Sequence, residues 1–121
     1  MLFKSSDFDK NKKLFEWYKR NCNVFNNLTR LLLQTKMHYT ALCKQFVIVG
    51  HETVCCALAD VELISTLIWL ENVVNSIMIC DYIGLAGELS EMSEHVENLN
   101  HLSVNVGLRT KFDTIEVPEV W

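Results

Sequence analysis

Apolar residues recur every seven positions along the first third of the chain. One series is Tyr18, Phe25, Leu32, Tyr39 and Phe46. A second series with the same period, offset by three positions, contains Leu14, Leu28, Leu42 and Val49, with the polar Asn21 and Thr35 at its other positions. This is the a/d spacing of a helix that presents one apolar stripe to its neighbours. Neither glycine nor proline interrupts residues 8–49. The repeat therefore predicts one long helix of about 40 residues, which at 1.5 Å per residue would be ~60 Å long.

Gly50 indicates the end of the first helix and a turn, with a helix that runs straight through as the alternative. Two more helices are predicted after it. Residues 54–82 are apolar almost all round, which predicts a helix buried on most of its faces; the many β-branched residues leave a strand as the alternative. Gly84 and Gly87 then weaken or kink the helix that follows. Its apolar residues stand at spacings of three and four: Leu85, Leu89, Met92, Val96, Leu99 and Leu102. The acidic residues Glu88, Glu91, Glu94 and Glu97 would lie on its polar side.

The periodicity changes after Ser103. Val104, Val106 and Leu108 alternate with polar residues, and Pro118 follows near the end. We predict a helical domain over 1–103 and an extended or disordered tail over 104–121. The predicted fold class is all-α, as a long amphipathic helical hairpin or helical bundle. So much apolar helix surface predicts a homo- or hetero-oligomer that associates through helix faces.

Cysteine number and the N-terminal residues predict a cytoplasmic protein. Five cysteines are an odd number, and the first residues contain no apolar stretch of the kind found in signal peptides. We therefore expect reduced thiols, buried as small core residues. The most apolar window, 55–80, contains Asp60, Glu62 and Glu71, and acidic residues are costly inside a bilayer. No transmembrane helix is predicted, although peripheral contact with a membrane stays open.

Charge is divided unevenly between the two parts of the chain. Residues 1–50 hold nine basic and three acidic residues, a net charge of +6, whereas residues 51–121 hold two basic and twelve acidic residues, a net charge of −10. The split predicts an anionic partner for the first part, or packing of one part on the other. The candidate membrane- or anion-binding residues are Lys12, Lys13, Lys19, Arg20, Arg30 and Lys36. A solvated helix face is the alternative, and interspersed acids argue against nucleic acid.

Residues 10–100 resemble the early part of the BAR domain of sorting nexins. The stretch Thr40–Phe46, continuing through Gly50-His51-Glu52, is similar to the end of their first helix. Cys80-Asp81-Tyr82-Ile83-Gly84-Leu85 resembles a D-Y-I-x-L segment in their second helix. The resemblance implies a dimer whose basic face binds curved, anionic membrane. The chain is shorter than a complete BAR domain, so it would be a fragment or a divergent member.

Residues 84–94 resemble the first motif of MazG-like nucleoside triphosphate pyrophosphohydrolases. In that motif, E-x-x-E places two carboxylates on one helix face, where oxygen ligands suit Mg²⁺. Glu88 and Glu91 would be those ligands. The family also has a downstream E-x-x-D helix, and here the chain offers only Glu116-x-x-Glu119 with Pro118 inside it.

Function is predicted mainly from which motifs the sequence lacks. It contains no complete catalytic motif and no close pair of zinc ligands such as CxxC. We therefore expect a non-enzymatic interaction or scaffold protein, with no catalytic residues and no cofactor, and with BAR-like peripheral membrane binding as one form. The alternatives are the MazG-like enzyme and a small helical regulator of host or cellular signalling.

Overall fold

The chain is mostly helical, in agreement with the predicted class. A computed structural model describes the backbone of residues 5–42, 46–49, 52–55 and 61–119, and the side chains of 9–38 and 63–119. The elements in chain order are α1 (Ser5–Arg20), α2 (Cys22–Leu42), β1 (Phe46–Val49), β2 (Glu52–Cys55), α3 (Val61–Met78), α4 (Tyr82–Leu89) and α5 (Val96–Asn105). A short 3-10 helix, Met92–Glu94, lies between α4 and α5.

The single helix predicted for residues 8–49 is wrong, because the helix is interrupted at Asn21 and α2 ends at Leu42. The Asn21 N–H is shared between the carbonyls of Trp17 and Tyr18, at 3.2 and 3.1 Å. Its side-chain amide also donates to the Trp17 carbonyl, at 2.9 Å. Asparagine side chains compete with the backbone for its hydrogen-bonding groups in this way, and they are poor residues for a helix interior.

β1 and β2 form a two-stranded antiparallel ladder where the sequence predicts helix. Phe46 is opposite Cys55, and Val49 is opposite Glu52. β-Branched residues are frequent on both sides of the connection, and such residues fit the pleated backbone of a strand. The turn that Gly50 predicts lies outside the described residues, as do Cys43 and the 56–60 part of the predicted second helix.

α3 lies at the centre of the helical body. It packs against α2, α4 and α5, while α1 packs against α4. Between residues 14 and 35, where the side chains are described, most of the heptad stripe is buried within the single chain: Leu14, Phe25, Leu28, Leu32 and Thr35. The intramolecular core therefore covers much of the surface on which the prediction of an oligomer was based. Trp69 in α3 donates its Nε1 proton to the Glu88 carbonyl at 2.8 Å, which ties α3 to α4.

The helix predicted from Leu85 to Leu102 is divided into three pieces. α4 ends at Leu89, and its C-terminal turn is closed by Ser90, whose hydroxyl donates to the Gly87 carbonyl at 2.6 Å. The 3-10 helix follows and leads into α5. The predicted apolar positions nevertheless face inward, because Leu85, Leu89, Met92, Leu99 and Leu102 are all buried. The periodicity thus predicted the buried side chains correctly and the continuity of the helix incorrectly.

The C-terminal residues 108–119 have no helix or strand but are attached to the helical body. α5 extends to Asn105, and Gly107 follows it with φ +79°. Asn100 in α5 accepts the Phe112 N–H at 2.6 Å and donates to the Phe112 carbonyl at 3.1 Å. Further on, the Glu116 carbonyl accepts the indole proton of Trp17 at 2.8 Å. Phe112 itself is buried in the core.

Candidate functional site

The outer side of α1 carries the basic residues that the sequence predicts as anion-binding. Leu14 and Trp17 are buried and hold the helix against the body, whereas Lys12, Lys13 and Lys19 are exposed. This division follows from helix geometry, since residues three and four apart share a side. Arg20 and, on α2, Arg30 are exposed as well.

Most of these cations have no carboxylate partner among the described side chains. Among the side chains that the structure describes, no acidic group lies within ion-pair distance of Lys12, Lys13, Lys19, Arg20 or Arg30. Lys36 differs from the other candidates, because its ammonium group pairs with Glu71 of α3. The predicted anion-binding residues therefore divide into five with exposed, unpaired charges and one that joins two helices.

An aromatic and aliphatic cluster adjoins the basic side of α1. The Phe15 ring lies 5.7 Å from the Tyr82 ring, and Tyr82 lies 5.0 Å from Tyr18, so that α1 and α4 meet through aromatic contacts. Lys19 Nζ lies 5.3 Å from the centre of the Phe15 ring, a cation–π contact. Burial raises the pKa of the Tyr82 hydroxyl, with a smaller effect from its hydrogen bond to Cys80, which keeps that hydroxyl neutral.

The segment between α3 and α4 completes this surface. After α3, Cys80 has a left-handed φ of +57°, and its N–H bonds to the Ile77 carbonyl at 3.2 Å. The Asp81 N–H reaches the Ser76 carbonyl at 2.9 Å. These two bonds form a Schellman motif. Asp81 then caps α4 by accepting the Gly84 N–H at 3.0 Å, and a Cβ at position 84 would collide with its carboxylate.

The exposed thiols of this region correct one prediction. Cys22 and Cys80 are free and exposed, so the prediction that the cysteines are core residues is wrong for these two. Cys22 opens α2, immediately after the interruption at Asn21, and Cys80 occupies the turn after α3. The side chains of Cys43, Cys55 and Cys56 lie outside the described residues.

Glu88 and Glu91, the alternative metal ligands, lie at the end of α4. α4 ends at Leu89, so Glu91 belongs to the turn beyond it and not to the same helix as Glu88. Burial raises the pKa of Glu88, and the charge of Glu91 raises it further. Glu116 and Glu119 instead line a hollow beside Trp17 and Arg20. Within the described part of the chain, no three His, Cys, Asp or Glu side chains are grouped to hold a metal ion.

A polar cluster that no sequence pattern singles out joins α3 to α5. Asn98 donates to Thr66 Oγ1 at 3.0 Å, and Thr66 Oγ1 lies 2.9 Å from His95 Nδ1. The His95 ring stacks on Trp69 with centroids 4.7 Å apart. Burial lowers the pKa of His95, although Glu94 and Glu91 act in the opposite direction. A neutral ring can accept the Thr66 hydroxyl proton at Nδ1, which assigns the ring proton to Nε2.

The Thr66–His95 pair does not make a nucleophile and base that substrate can reach. The two groups are at hydrogen-bond distance, as such a pair requires. Thr66, however, exposes no surface, and its oxygen already accepts the amide of Asn98. Thr66 and His95 lie at the wall of a groove of about 620 Å³, together with Glu94, Glu97 and His101, but almost none of their surface is exposed in it. In the chain, Thr66 is 29 positions from His95 and 32 from Asn98, so no local motif could have revealed the polar cluster.

Comparisons with protein-family models, with curated proteins and with solved structures give no match to this chain. The resemblances to BAR domains and to MazG-like enzymes are thus neither supported nor contradicted by a relative. None of the helices in the described ranges combines the length and the apolar character needed to cross a bilayer.

Proposed function

We propose that this chain is a non-enzymatic helical interaction module that binds anionic membrane surfaces peripherally through α1. The observation that carries the proposal is the set of exposed cations on that helix, Lys12, Lys13, Lys19 and Arg20, without a carboxylate partner among the described side chains. A basic residue near an anionic membrane contributes roughly 1 kcal/mol. Four together are enough for reversible binding that weakens as salt screens the charges.

A membrane suits this charge distribution better than a nucleic acid does. The chain as a whole is acidic, at −4, and its positive charge is confined to the first part. A flat surface can contact the basic first part of the chain without contacting the whole of the acidic remainder. A nucleic acid requires dense contacts between cations and phosphates, and on α1 Asp9 and Glu16 are exposed among the lysines.

The proposal includes self-association of the BAR-like kind. Because the heptad stripe is buried inside the chain, the contact would use exposed apolar residues elsewhere. Leu33 and Met37 lie one turn apart on α2 and are 57% and 66% exposed. We expect sedimentation velocity to detect a dimer that Leu33→Ser/Met37→Ser converts to a monomer. A parent chain that stays monomeric at micromolar concentration would refute the dimer and leave the membrane proposal standing.

Liposome co-sedimentation tests the membrane proposal with variants of equal charge. Lys12→Gln/Lys19→Gln removes two positive charges from α1. The control, Arg109→Asn/Lys111→Gln, removes two from the C-terminal segment, and asparagine tolerates the left-handed φ of +59° at position 109. On vesicles rich in phosphatidylserine, we expect the α1 pair to weaken partitioning by about tenfold and the control pair to change it little. Equal losses, or parent binding that does not respond to salt, would contradict the proposal.

A second candidate, the Mg²⁺-dependent pyrophosphohydrolase, is favoured by one observation. Burial raises the pKa of Glu88 and the nearby charge of Glu91 raises it further, and a divalent cation bound between the two carboxylates would relieve that repulsion. The test is pyrophosphate release from a panel of nucleoside triphosphates with Mg²⁺. If Glu88→Gln retained full activity, the site would be rejected.

A further inference from the structure

Four apolar side chains next to the basic side of α1 are exposed to water. Met78 is 74% exposed and Ile79 is 73% exposed, while Ile83 and Phe15 are 48% and 45% exposed. They belong to the end of α3, to α4 and to α1. Asn11 and Phe15 share a small hollow with residues 80–83, and Met78 and Ile79 directly precede those residues in the chain. The four side chains Phe15, Met78, Ile79 and Ile83 are called the apolar tip.

The apolar character of the tip is not required by the local fold. The inward-facing residues of α3 close to this end, Val73, Val74 and Ile77, already pack in or against the core. A Schellman motif is often accompanied by an apolar contact between two fixed positions, which here are the polar residues Ser76 and Asp81. Met78 and Ile79 serve neither purpose, since both side chains lie in solvent.

Charge complementarity indicates what covers the tip. Lys12 and Lys19 stand three residues before and four residues after Phe15, on the same side of α1, and Lys19 Nζ lies over the Phe15 ring. Two exposed acids lie nearby: Glu16, between Lys12 and Lys19 on α1, and Asp81, whose carboxylate caps α4. Apolar side chains flanked by lysines suit the boundary between anionic headgroups and acyl chains.

We infer that the apolar tip inserts Met78, Ile79, Ile83 and Phe15 among the acyl chains of an anionic bilayer, while Lys12 and Lys19 contact the headgroups. The inference rests on the proposed membrane function and deepens it. Electrostatic attraction alone would be lost at high salt, whereas insertion of apolar groups would persist. Binding should therefore have a salt-sensitive part that depends on the lysines and a salt-resistant part that depends on the tip.

The test compares Ile79→Ser with Val104→Ser, a matched control. Both parent residues are β-branched and similarly exposed, and Val104, at 69%, lies on α5. Partitioning is measured on phosphatidylcholine–phosphatidylserine vesicles at low and high NaCl. We expect Met78→Ser/Ile79→Ser to reduce the salt-resistant partitioning by at least about tenfold, from the apolar area removed, with a smaller loss for Ile79→Ser alone. Val104→Ser should match the parent.

Depth of insertion gives a second measurement that does not depend on affinity. A tryptophan introduced by Ile79→Trp should be quenched by lipids brominated on their acyl chains beyond the quenching of the parent protein. Val104→Trp should add no quenching. Equal quenching of the two variants would overturn insertion at the tip, even if both bind.

The remaining outcomes separate the inference from the proposal beneath it. If high salt abolished binding of the parent chain and the serine variants bound as well as the parent, insertion would be overturned. The electrostatic proposal would stand. No parent binding at low salt would overturn both. A Met78→Ser/Ile79→Ser variant that turns a dimer into a monomer without altering lipid partitioning would identify the tip as a contact between two copies of the chain, and insertion would be rejected.

Discussion

Two residues, Cys80 and Gly107, occupy the same position in the same helix-ending motif. Each has a positive φ, +57° and +79° respectively. After α5, the Gly107 N–H bonds to the Val104 carbonyl at 3.1 Å and the Leu108 N–H to the Ser103 carbonyl at 2.9 Å, which repeats the arrangement after α3. Glycine enters the left-handed region without steric cost, whereas a side chain there costs roughly 1–2 kcal/mol. Cys80 therefore carries conformational strain that Gly107 avoids.

Replacement of Cys80 by glycine should stabilise the protein. We expect Cys80→Gly to raise the free energy of unfolding in urea by about 0.5–1 kcal/mol, less than the full steric cost because glycine also gains freedom in the unfolded chain. Cys80→Ser is the matched control, since it removes the thiol but keeps a Cβ. If both variants changed stability equally, loss of the thiol and of its bond to Tyr82 would explain the result, and the strain would be disproved.

Among the helices, the sequence predicted buried faces better than boundaries. The heptad positions correctly identified Leu14, Phe25 and Leu28 as buried, because burial depends on spacing alone. The interruption at Asn21 depends on one side chain competing for a backbone carbonyl, which spacing does not reveal. The exposed lysines of α1 follow from the same spacing. The apolar tip does not, because Met78 and Ile79 continue an apolar run and only the fold places them in solvent.

The link between α3 and α5 through His95 makes stability depend on pH. His95 is 8% exposed, and burial lowers its pKa below the ordinary value of 6.5. The unfolded chain therefore binds the proton more readily than the folded chain. The contribution of His95 to the free energy of unfolding is fully present above its pKa in the unfolded chain. It is lost as pH falls below about 6.5, towards the lower pKa of His95 in the folded chain. We expect the free energy of unfolding in urea to be lower at pH 5.5 than at pH 7.5.

Two histidine variants test whether His95 causes this dependence. His95→Gln should reduce the difference in unfolding free energy between the two pH values. It should also lower stability at pH 7.5, because it removes the stacking on Trp69. His101 is exposed and lies 3.9 Å from Glu97 on the outside of α5, so His101→Gln should preserve most of the dependence. A dependence that survives undiminished in His95→Gln would show that His95 is not its cause.

Across the whole molecule, the separation of charge in the sequence is only partly neutralised by packing. Lys36 and Glu71 pair across α2 and α3, one from the basic and one from the acidic part of the chain. The cations of α1 have no such partner among the described side chains. The charge split predicts either that the two parts of the chain pack on each other or that the first part binds an anionic partner. The Lys36–Glu71 pair is an example of such packing, whereas the cations of α1 remain available to an anionic partner.

The C-terminal segment closes the body of the molecule through contacts with α5 and α1. Asn100 makes two hydrogen bonds with the backbone of Phe112, so Asn100→Ala would leave both of those backbone groups without a partner. We expect a loss of about 1–3 kcal/mol in the free energy of unfolding. Trypsin should also cleave faster after Arg109 and Lys111, because the segment that contains them would open more often.

Asn105→Ala is the matched control for Asn100→Ala, since Asn105 is exposed at the end of the same helix. Alanine is the better helix former at both positions, so propensity alone would stabilise both variants slightly. If the Asn100–Phe112 hydrogen bonds hold the segment, the free energy of unfolding should fall for Asn100→Ala and should rise slightly or stay unchanged for Asn105→Ala. If Asn100→Ala were as stable and as resistant to trypsin as Asn105→Ala, the segment would be held by burial of Phe112 and by the Trp17–Glu116 bond without a contribution from Asn100.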